Sequence, residues 1–462
     1  MAMESVLRYI EANQGRYIEE LKQFLRIPSI STAKKNRPDM DRCAEFVKEE
    51  LRRIGIPRVE TFPTDGHPIV YGEWLEAPEK PTVLFYGHYD IQPVDPLELW
   101  TTGPFEPTIR NGELYARGAA DDKGPVWMHF KAVEAHLKAV GRLPVNVKFL
   151  IEGEEEIGSA HLDEFIRRHR DLLKADVALI SDTAMFSRNL PSISYGLRGL
   201  AYFQLDIKGS NRDLHSGSFG GAVINPNFAL AQVILSIKNT DGQILIPGFY
   251  DDVLSISEQE KKELSQLPFD EEKFQRDLGV PELFGEKDYG TIERLWYRPT
   301  LEINGMYGGF IGEGAKTVIP ARASAKISMR LVPNQDPDRI AALFETHLRS
   351  ITPASVELTL TRMQGGKPWV TSTDQPSMRI ASRAFKKGFG KTPVFIRQGG
   401  SIPVVATFRE TLGLSTVLMG VGLPDENAHA PNEKLDLGNF QNGIVTSAYF
   451  FQEFVNLESN QR

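Results

Sequence analysis

The stretch Thr82-Val83-Leu84-Phe85-Tyr86-Gly87-His88-Tyr89-Asp90 decides how this chain is read. Its first residues form an unbroken apolar and β-favouring run, the pattern of a buried strand in a parallel sheet covered on both faces. The run ends in His-x-Asp. Where strand geometry persists, side chains two apart point the same way. A metal-bound histidine usually has its second ring nitrogen held by a carboxylate, and His88 with Asp90 fits that need. The plainer alternative is that His88 ends a strand and Asp90 opens a turn. The company these residues keep further along the chain decides the matter.

Working outward, residues 70–75, 145–151 and 177–181 read as further strands. Helical periodicity covers 4–26, 39–55, 125–140 and 161–173. Strands alternating with helices imply an α/β domain with a largely parallel sheet. The pattern changes near 196–200. Residues 201–208, 323–331 and 356–361 alternate as half-exposed strands do, with helices expected over 225–238 and 337–350. This order suggests a smaller α+β sandwich with one open sheet face, inserted into the first domain. Residues 251–298 read as an acidic, helix-rich surface insertion. The α/β pattern then resumes with helices over 375–389 and 438–454 and strands over 393–396 and 415–421.

At 462 residues the chain is too long for one ordinary core. Lys and Arg number 53 against 61 Asp and Glu, a net charge of −8. That balance argues against nucleic acid or an anionic membrane as the main partner. The single cysteine, Cys43, excludes an intrachain disulfide and reads as a packed thiol in a helix. The first 27 residues lack the basic segment and apolar core of a signal peptide, and no run of about 18 apolar residues occurs. A cytoplasmic location is expected.

Acidic residues and histidines recur where strands end. His88 and Asp90 follow one strand, Glu155 and Glu156 another, Asp182 a third, and His429 lies in a loop after 415–421. Asp121 precedes a helix in a Gly/Ala-rich loop. Open α/β sheets bind ligands at the carboxyl ends of their strands, so these groups can converge. Gathered carboxylates repel one another unless a cation lies between them. Imidazole with carboxylate suits Zn²⁺ first and Mn²⁺ second. More acids than one ion needs points to two ions sharing a bridging carboxylate, with one further carboxylate as general base. Taken singly, Glu154-Glu155-Glu156 is a solvated turn, Asp121-Asp122 a helix N-cap and His429 a loop histidine. The glycine-rich 308–314 segment precedes no strand-to-helix turn, which disfavours a phosphate loop. Gly399-Gly400-Ser401 lacks the spacing of a serine-hydrolase elbow.

The ordered set resembles the dinuclear-zinc metallopeptidase family of carnosine dipeptidases, glutamate carboxypeptidases, acetylornithine deacetylase and succinyl-diaminopimelate desuccinylase. The motifs are Gly87-His88-Tyr89-Asp90, Arg117-Gly118-Ala119-Ala120-Asp121-Asp122-Lys123-Gly124, Glu152-Gly153-Glu154-Glu155-Glu156-Ile157-Gly158-Ser159, Ser181-Asp182 and His429. The chain is more similar still to the cytosolic nonspecific dipeptidase branch. It is so at Tyr195-Gly196-Leu197-Arg198-Gly199, Asp213-Leu214-His215-Ser216-Gly217, Ala315-Lys316-Thr317-Val318-Ile319-Pro320, Arg330-Leu331-Val332-Pro333, Gly399-Gly400-Ser401-Ile402-Pro403 and Asn432-Glu433-Lys434-Leu435.

The resemblance implies a zinc-exopeptidase-like catalytic domain from 1–199 and 373–462. A ferredoxin-like lid and dimerisation domain would occupy 200–372. It implies two divalent ions per chain, with His88 and Asp182 completing one site, Glu156 and His429 the other, and Asp121 bridging. Asp90 would orient His88. Glu155 would be the general base, the register being set by Gly158-Ser159, which the family places just after its Glu-Glu pair and one residue. His215 would reach into the active site of a partner subunit and steady the oxyanion. Arg330 would pair with the substrate's terminal carboxylate, and Thr317 and Ser401 would be further substrate contacts. The expectation is a homodimeric two-metal exopeptidase acting on dipeptides or short peptides. Its alternatives are an N-acyl-amino-acid amidohydrolase and a catalytically dead metal-binding scaffold.

Overall fold

Two sets of strands with different burial patterns organise the chain in the computed structural model, which describes residues 2–455 and 457. The chain divides into two units. The first holds the residues up to Tyr195, Thr371–Ile396 and those from Thr407 onward; the second holds Gly196–Val370 and Arg397–Ala406.

In the first unit the strand Thr82–His88 is buried from Val83 onward. It lies between Asn146–Glu152 and Val177–Ile180, parallel to both, and Thr416–Leu418 continues the parallel set beyond Val177–Ile180. The flanks are antiparallel: Arg58–Phe62 and Ile69–Trp74 on one side, Ser192–Leu197 on the other. The sheet is therefore mainly parallel at its centre. Helix Lys123–Val140 is buried from Lys123 to His136, as a helix covered on all sides must be. Phe85 shows how the layers lock. Its ring stacks on Phe149 of the neighbouring strand at 5.1 Å and meets Phe451 of helix Leu437–Phe454 edge-on at 5.4 Å. Truncating such a ring costs about 3–5 kcal/mol.

Helix Ala2–Leu25 buries Val6, Ile10, Tyr17, Leu21 and Phe24 along one face. Lys123 Nζ donates to Phe24 O at 3.2 Å and Ile27 O at 2.7 Å, fastening the turn after this helix to the start of helix Lys123–Val140. Helix Arg37–Ile54 ends at Gly55 with φ of 112°, a left-handed cap that favours glycine. A partly buried ion network joins these helices. Lys131 Nζ lies 2.5 Å from Glu20, 2.6 Å from Glu50 and 3.0 Å from Glu134, and Arg16 and Arg53 pair with the same acids.

The second unit carries a four-stranded antiparallel sheet in the order Thr300–Gly308, Arg322–Leu331, Gly199–Lys208, Glu357–Gly366. With helices Pro226–Ile237 and Pro337–Ile351 this is the βαββαβ, ferredoxin-like arrangement. Gly199–Lys208 alternates buried and half-buried at every position. Ala201, Phe203, Leu205 and Ile207 face a core shared with Leu230, Val233, Phe344 and Leu348 of the two helices. The insertion forms helices Glu258–Ser265, Glu271–Leu278 and Thr291–Trp296, the first with a Ser257/Glu260 capping box.

Several expectations are corrected. The helix expected over 161–173 is confined to Leu162–Arg168. Thr300–Gly308 is a strand that sequence reading passed over, because its glycines and polar residues leave only Leu301 fully buried. The segment 373–462 does not belong wholly to the first unit. Arg397–Ala406 clusters with the second, where Arg397 pairs with Glu260 and lies over the Tyr297 ring, and Arg198 Nε donates to Gly399 O at 3.1 Å. Cys43 is buried, and burial raises its thiol pKa. Among the described residues no helix is long and apolar enough to cross a membrane.

Candidate active site

Strand register brings the scattered acids together. His88 stands opposite Glu152, so the turn after Glu152 carries Glu155 and Glu156 past the end of the His88 strand. Tyr86 stands opposite Ile180, which sets Asp182 level with His88. Gly87 permits this crowding: a Cβ there would lie 2.4 Å from Val126 and 2.7 Å from the Asp122 carboxylate.

Two groups of donors result, and they share Asp121. In the first, His88 Nε2 lies 3.1 Å from Asp121 Oδ1 and 4.0 Å from Asp182 Oδ2. In the second, His429 Nε2 lies 2.9 Å from Asp121 Oδ2 and 3.3 Å from Glu156 Oε2. Within each group the potential ligand atoms lie within 4.8 Å of one another. His88 Nε2 is fully buried yet has no aligned hydrogen-bond partner, an expensive state for a ring nitrogen unless a cation takes it. The donor set, imidazoles with shared carboxylates, fits divalent metal. Among the described residues the other acidic group of this kind, Glu20 with Glu50 and Glu134, holds the Lys131 ammonium instead.

Electrostatics agree with that fit. Burial raises the Glu155 carboxyl well above the ordinary range; His88 opposes this, and Asp182, Glu156 and Asp121 reinforce it. Asp182 is pushed up to about 7 by burial and by Asp121. His429 is raised to about 11 by its bonds to Asp121 and Glu156. Burial opposes protonation of His88, but Asp121 and Asp90 outweigh it and hold the ring well above its usual value. Without a cation, these groups hold protons to offset crowded negative charge.

The supporting residues have specific partners. His88 Nδ1 lies 3.3 Å from Asp90 Oδ1 and 3.1 Å from the Asp90 carbonyl oxygen. The Asp90 carboxylate also accepts from Glu155 N at 3.2 Å and Glu156 N at 3.1 Å, so it fastens the glutamate turn to the histidine strand. Gln92 Nε2 donates to Glu156 Oε2 at 2.7 Å. Asp122 occupies the N-cap position of helix Lys123–Val140, but its side chain does not cap it. Its Oδ2 accepts from His88 N at 3.2 Å instead. His429 has φ of 64°, a left-handed conformation uncommon for a non-glycine residue. Sequence reading gave Gln92 and Glu433 no role, although Glu433 lies in a quoted motif, and read Asp122 only as a helix cap. Glu433, fully buried, accepts from Arg117 and from the backbone of the Asp121 loop.

His215, Thr317, Arg330 and Ser401 lie in the second unit. His215 and Thr317 are exposed neighbours: His215 pairs with Val318, and Ser216 N donates to Thr317 O at 3.1 Å. Arg330 and Ser401 form a second group, with Arg330 Nη1 donating to Ser401 Oγ at 2.7 Å.

The sequence profile of peptidase family M20/M25/M40 matches residues 84–453. The chain is 34% identical over 472 residues to the Cys-Gly metallodipeptidase dug1 of Schizosaccharomyces pombe, covering 99% of each. The crystal structure of human carnosine dipeptidase 1 is similar with a TM-score of 0.90 and 34% identity, covering 99% of both chains. That of the M20 family metallo-carboxypeptidase Sso-CP2 from Sulfolobus solfataricus is similar with a TM-score of 0.87 and 35% identity, covering 96% of this chain and 99% of the other.

Proposed function

The chain belongs to peptidase family M20/M25/M40, and from that premise we propose that it is a two-metal exopeptidase. It cleaves the peptide bond of dipeptides, or of short peptides at a free C-terminus. The observation that carries this reading is the pair of ligand groups sharing Asp121, with the carboxyl of Glu155 held beside them. His88 and Asp182 would hold one ion, Glu156 and His429 the other, and Asp121 both. Zn²⁺ suits the donor set first and Mn²⁺ second. When bound, such a pair polarises a carbonyl and acidifies water.

Glu155 is the general base. Its carboxylate takes a proton from the attacking water and passes it to the amide nitrogen as the C–N bond breaks, so one side chain serves both transfers. Asp90 supports this by holding the Glu155 backbone and keeping the Nδ1 proton of His88 in place. Arg330 takes the terminal carboxylate of the substrate. It is half-buried, burial lowers its pKa, and it has no carboxylate partner among the described residues. Ser401 and Thr317 add contacts. His215 steadies the oxyanion across a homodimer formed through the second unit.

Similarity to a metallo-carboxypeptidase favours, as a second reading, action on longer peptides from the C-terminus. The deciding experiment is product analysis on dipeptides, longer peptides, and acetylated or succinylated amino acids. Chelation should abolish activity and Zn²⁺ or Mn²⁺ restore it. Turnover of acylated amino acids alone would replace this reading with an N-acyl-amino-acid amidohydrolase. No turnover of any class by metal-loaded protein would leave a scaffold.

A further inference from the structure

Glu433 bonds through its carboxylate to Arg117 and to backbone N–H groups rather than to a ligand side chain, and it stands where the two loops that carry Asp121 and His429 meet. Its carboxylate is wholly buried and accepts four N–H donors. Oε2 takes Arg117 Nη1 at 2.6 Å and Gly118 N at 3.0 Å; Oε1 takes Ala120 N at 2.8 Å and Asp121 N at 3.1 Å. Its own carbonyl oxygen accepts from Ala116 N at 3.1 Å. One residue thus clamps the loop from Ala116 to Asp121. Glu433 also follows His429 closely and leads directly into strand Lys434–Asp436, which pairs with Glu113–Tyr115. The residue before it, Asn432, is pinned as well: its Oδ1 accepts from Thr101 N at 2.8 Å and its Nδ2 donates to Leu99 O at 2.7 Å.

We propose that Glu433 is a positioning residue for the metal pair, setting the backbone of Asp121 and through it the shared carboxylate. The proposal rests on the two-metal reading above. Its logic is geometric. Asp121 must aim Oδ1 towards His88 and Oδ2 towards His429 at once. A shift of its peptide displaces both oxygens, so loss of Glu433 weakens both sites together. Loss of Asp182 or Glu156, each a member of one group, weakens one.

Glu433→Gln is nearly isosteric but replaces one acceptor oxygen with NH₂, which then faces two N–H donors. The test is Zn²⁺ titration of metal-free, full-length protein against a chromophoric chelator. Urea midpoints of the same samples report stability. Arg117→Met is the companion variant: it removes the charge partner and leaves the bond to Asp121 N. Both Zn²⁺ dissociation constants of Glu433→Gln are expected to rise about 10- to 100-fold, the range for lost outer partners of metal ligands. Arg117→Met should shift them less at an equal loss of urea midpoint. Constants unchanged in Glu433→Gln, or only one of the two altered, overturn the proposal. So does an equal effect of Arg117→Met, which would make Glu433 merely a stabilising residue. A wild-type protein that binds fewer than two Zn²⁺ refutes the two-metal reading itself, a different result from an unchanged variant. If Glu433→Gln does not fold, Glu433→Asp carries the same test. It keeps the charge and shortens the reach by one methylene, both constants are again expected to rise, and unchanged ones overturn the proposal.

Discussion

Replacing Asp90 by Asn removes one acceptor from a buried carboxylate that serves three donors. Oδ1 faces His88 Nδ1 at 3.3 Å and Glu155 N at 3.2 Å, and Oδ2 faces Glu156 N at 3.1 Å. An amide has one acceptor end and one donor end. With its oxygen at the Oδ1 position it keeps two donors and sets NH₂ against Glu156 N; turned the other way it loses two. The first orientation is therefore favoured, and the loss falls on Glu156. An unpaired N–H in such a setting costs about 1–3 kcal/mol, or about 5- to 150-fold in an equilibrium constant. The His88 ring has a second acceptor, the Asp90 carbonyl oxygen at 3.1 Å, so its own site is spared most of the loss. The expected result is asymmetric. The ion held by Glu156 and His429 should weaken about tenfold or more, and the other only slightly. Metal titration of Asp90→Asn beside Glu156→Gln and Asp182→Asn, with Co²⁺ spectra to identify each site, reads this directly. Equal weakening of both sites, or weakening confined to the Asp182 site, would refute the reasoning.

Three further outcomes are expected. Glu155→Gln should retain two metals and lose about 10²- to 10⁴-fold in kcat, the usual worth of a positioned proton carrier; near wild-type turnover would remove Glu155 from its role. Arg330→Met should raise KM for dipeptides by about 10- to 100-fold, the worth of a charged hydrogen bond. It should change kcat little and erase the preference for a free carboxylate over a C-terminal amide; a retained preference counts against that contact. Glu426 is buried, and burial, reinforced by Glu433 and Asp425, pushes its carboxyl up to about 8. A carboxyl raised on folding contributes stability that is fully present below its ordinary pKa and is lost as pH climbs through the folded value. Metal-free wild-type protein should lose urea resistance from about pH 5 to about pH 9 more steeply than Glu426→Gln, and identical slopes would contradict this.

The fold was legible where periodicity is pure. The run ending at Tyr86 and the strict alternation of Ala201 to Lys208 each announce their layer. Arg58–Phe62 was passed over because it sits at the sheet edge with only Val59 buried. Arg397–Ala406 was assigned to the wrong unit because nothing local records which core a short segment joins. At the site, each histidine or acid is ordinary alone; they were noticed because they recur together where strands end, and the resemblance assigned their roles. Glu433 and Asp122 stood in the quoted motifs, yet their partners escaped notice for one shared reason. Each acts through backbone N–H groups distant in sequence, His88 N for Asp122 and Asp121 N for Glu433. A bond to a main-chain donor requires no particular residue at the other end and leaves no pattern to read.

The ammonium of Lys131 among three glutamates has a bearing on how this sequence can drift. Lys131, Arg16 and Arg53 balance Glu20, Glu50 and Glu134 in a network drawn from three helices. Changing one of the buried members, Lys131, Glu50 or Glu134, strands a charge that the interior solvates poorly, whereas exchanging a matched set for apolar residues is often tolerated. The three buried positions should therefore vary together among descendants or scarcely vary at all, while Arg16 and Arg53, reached by water, should drift more freely.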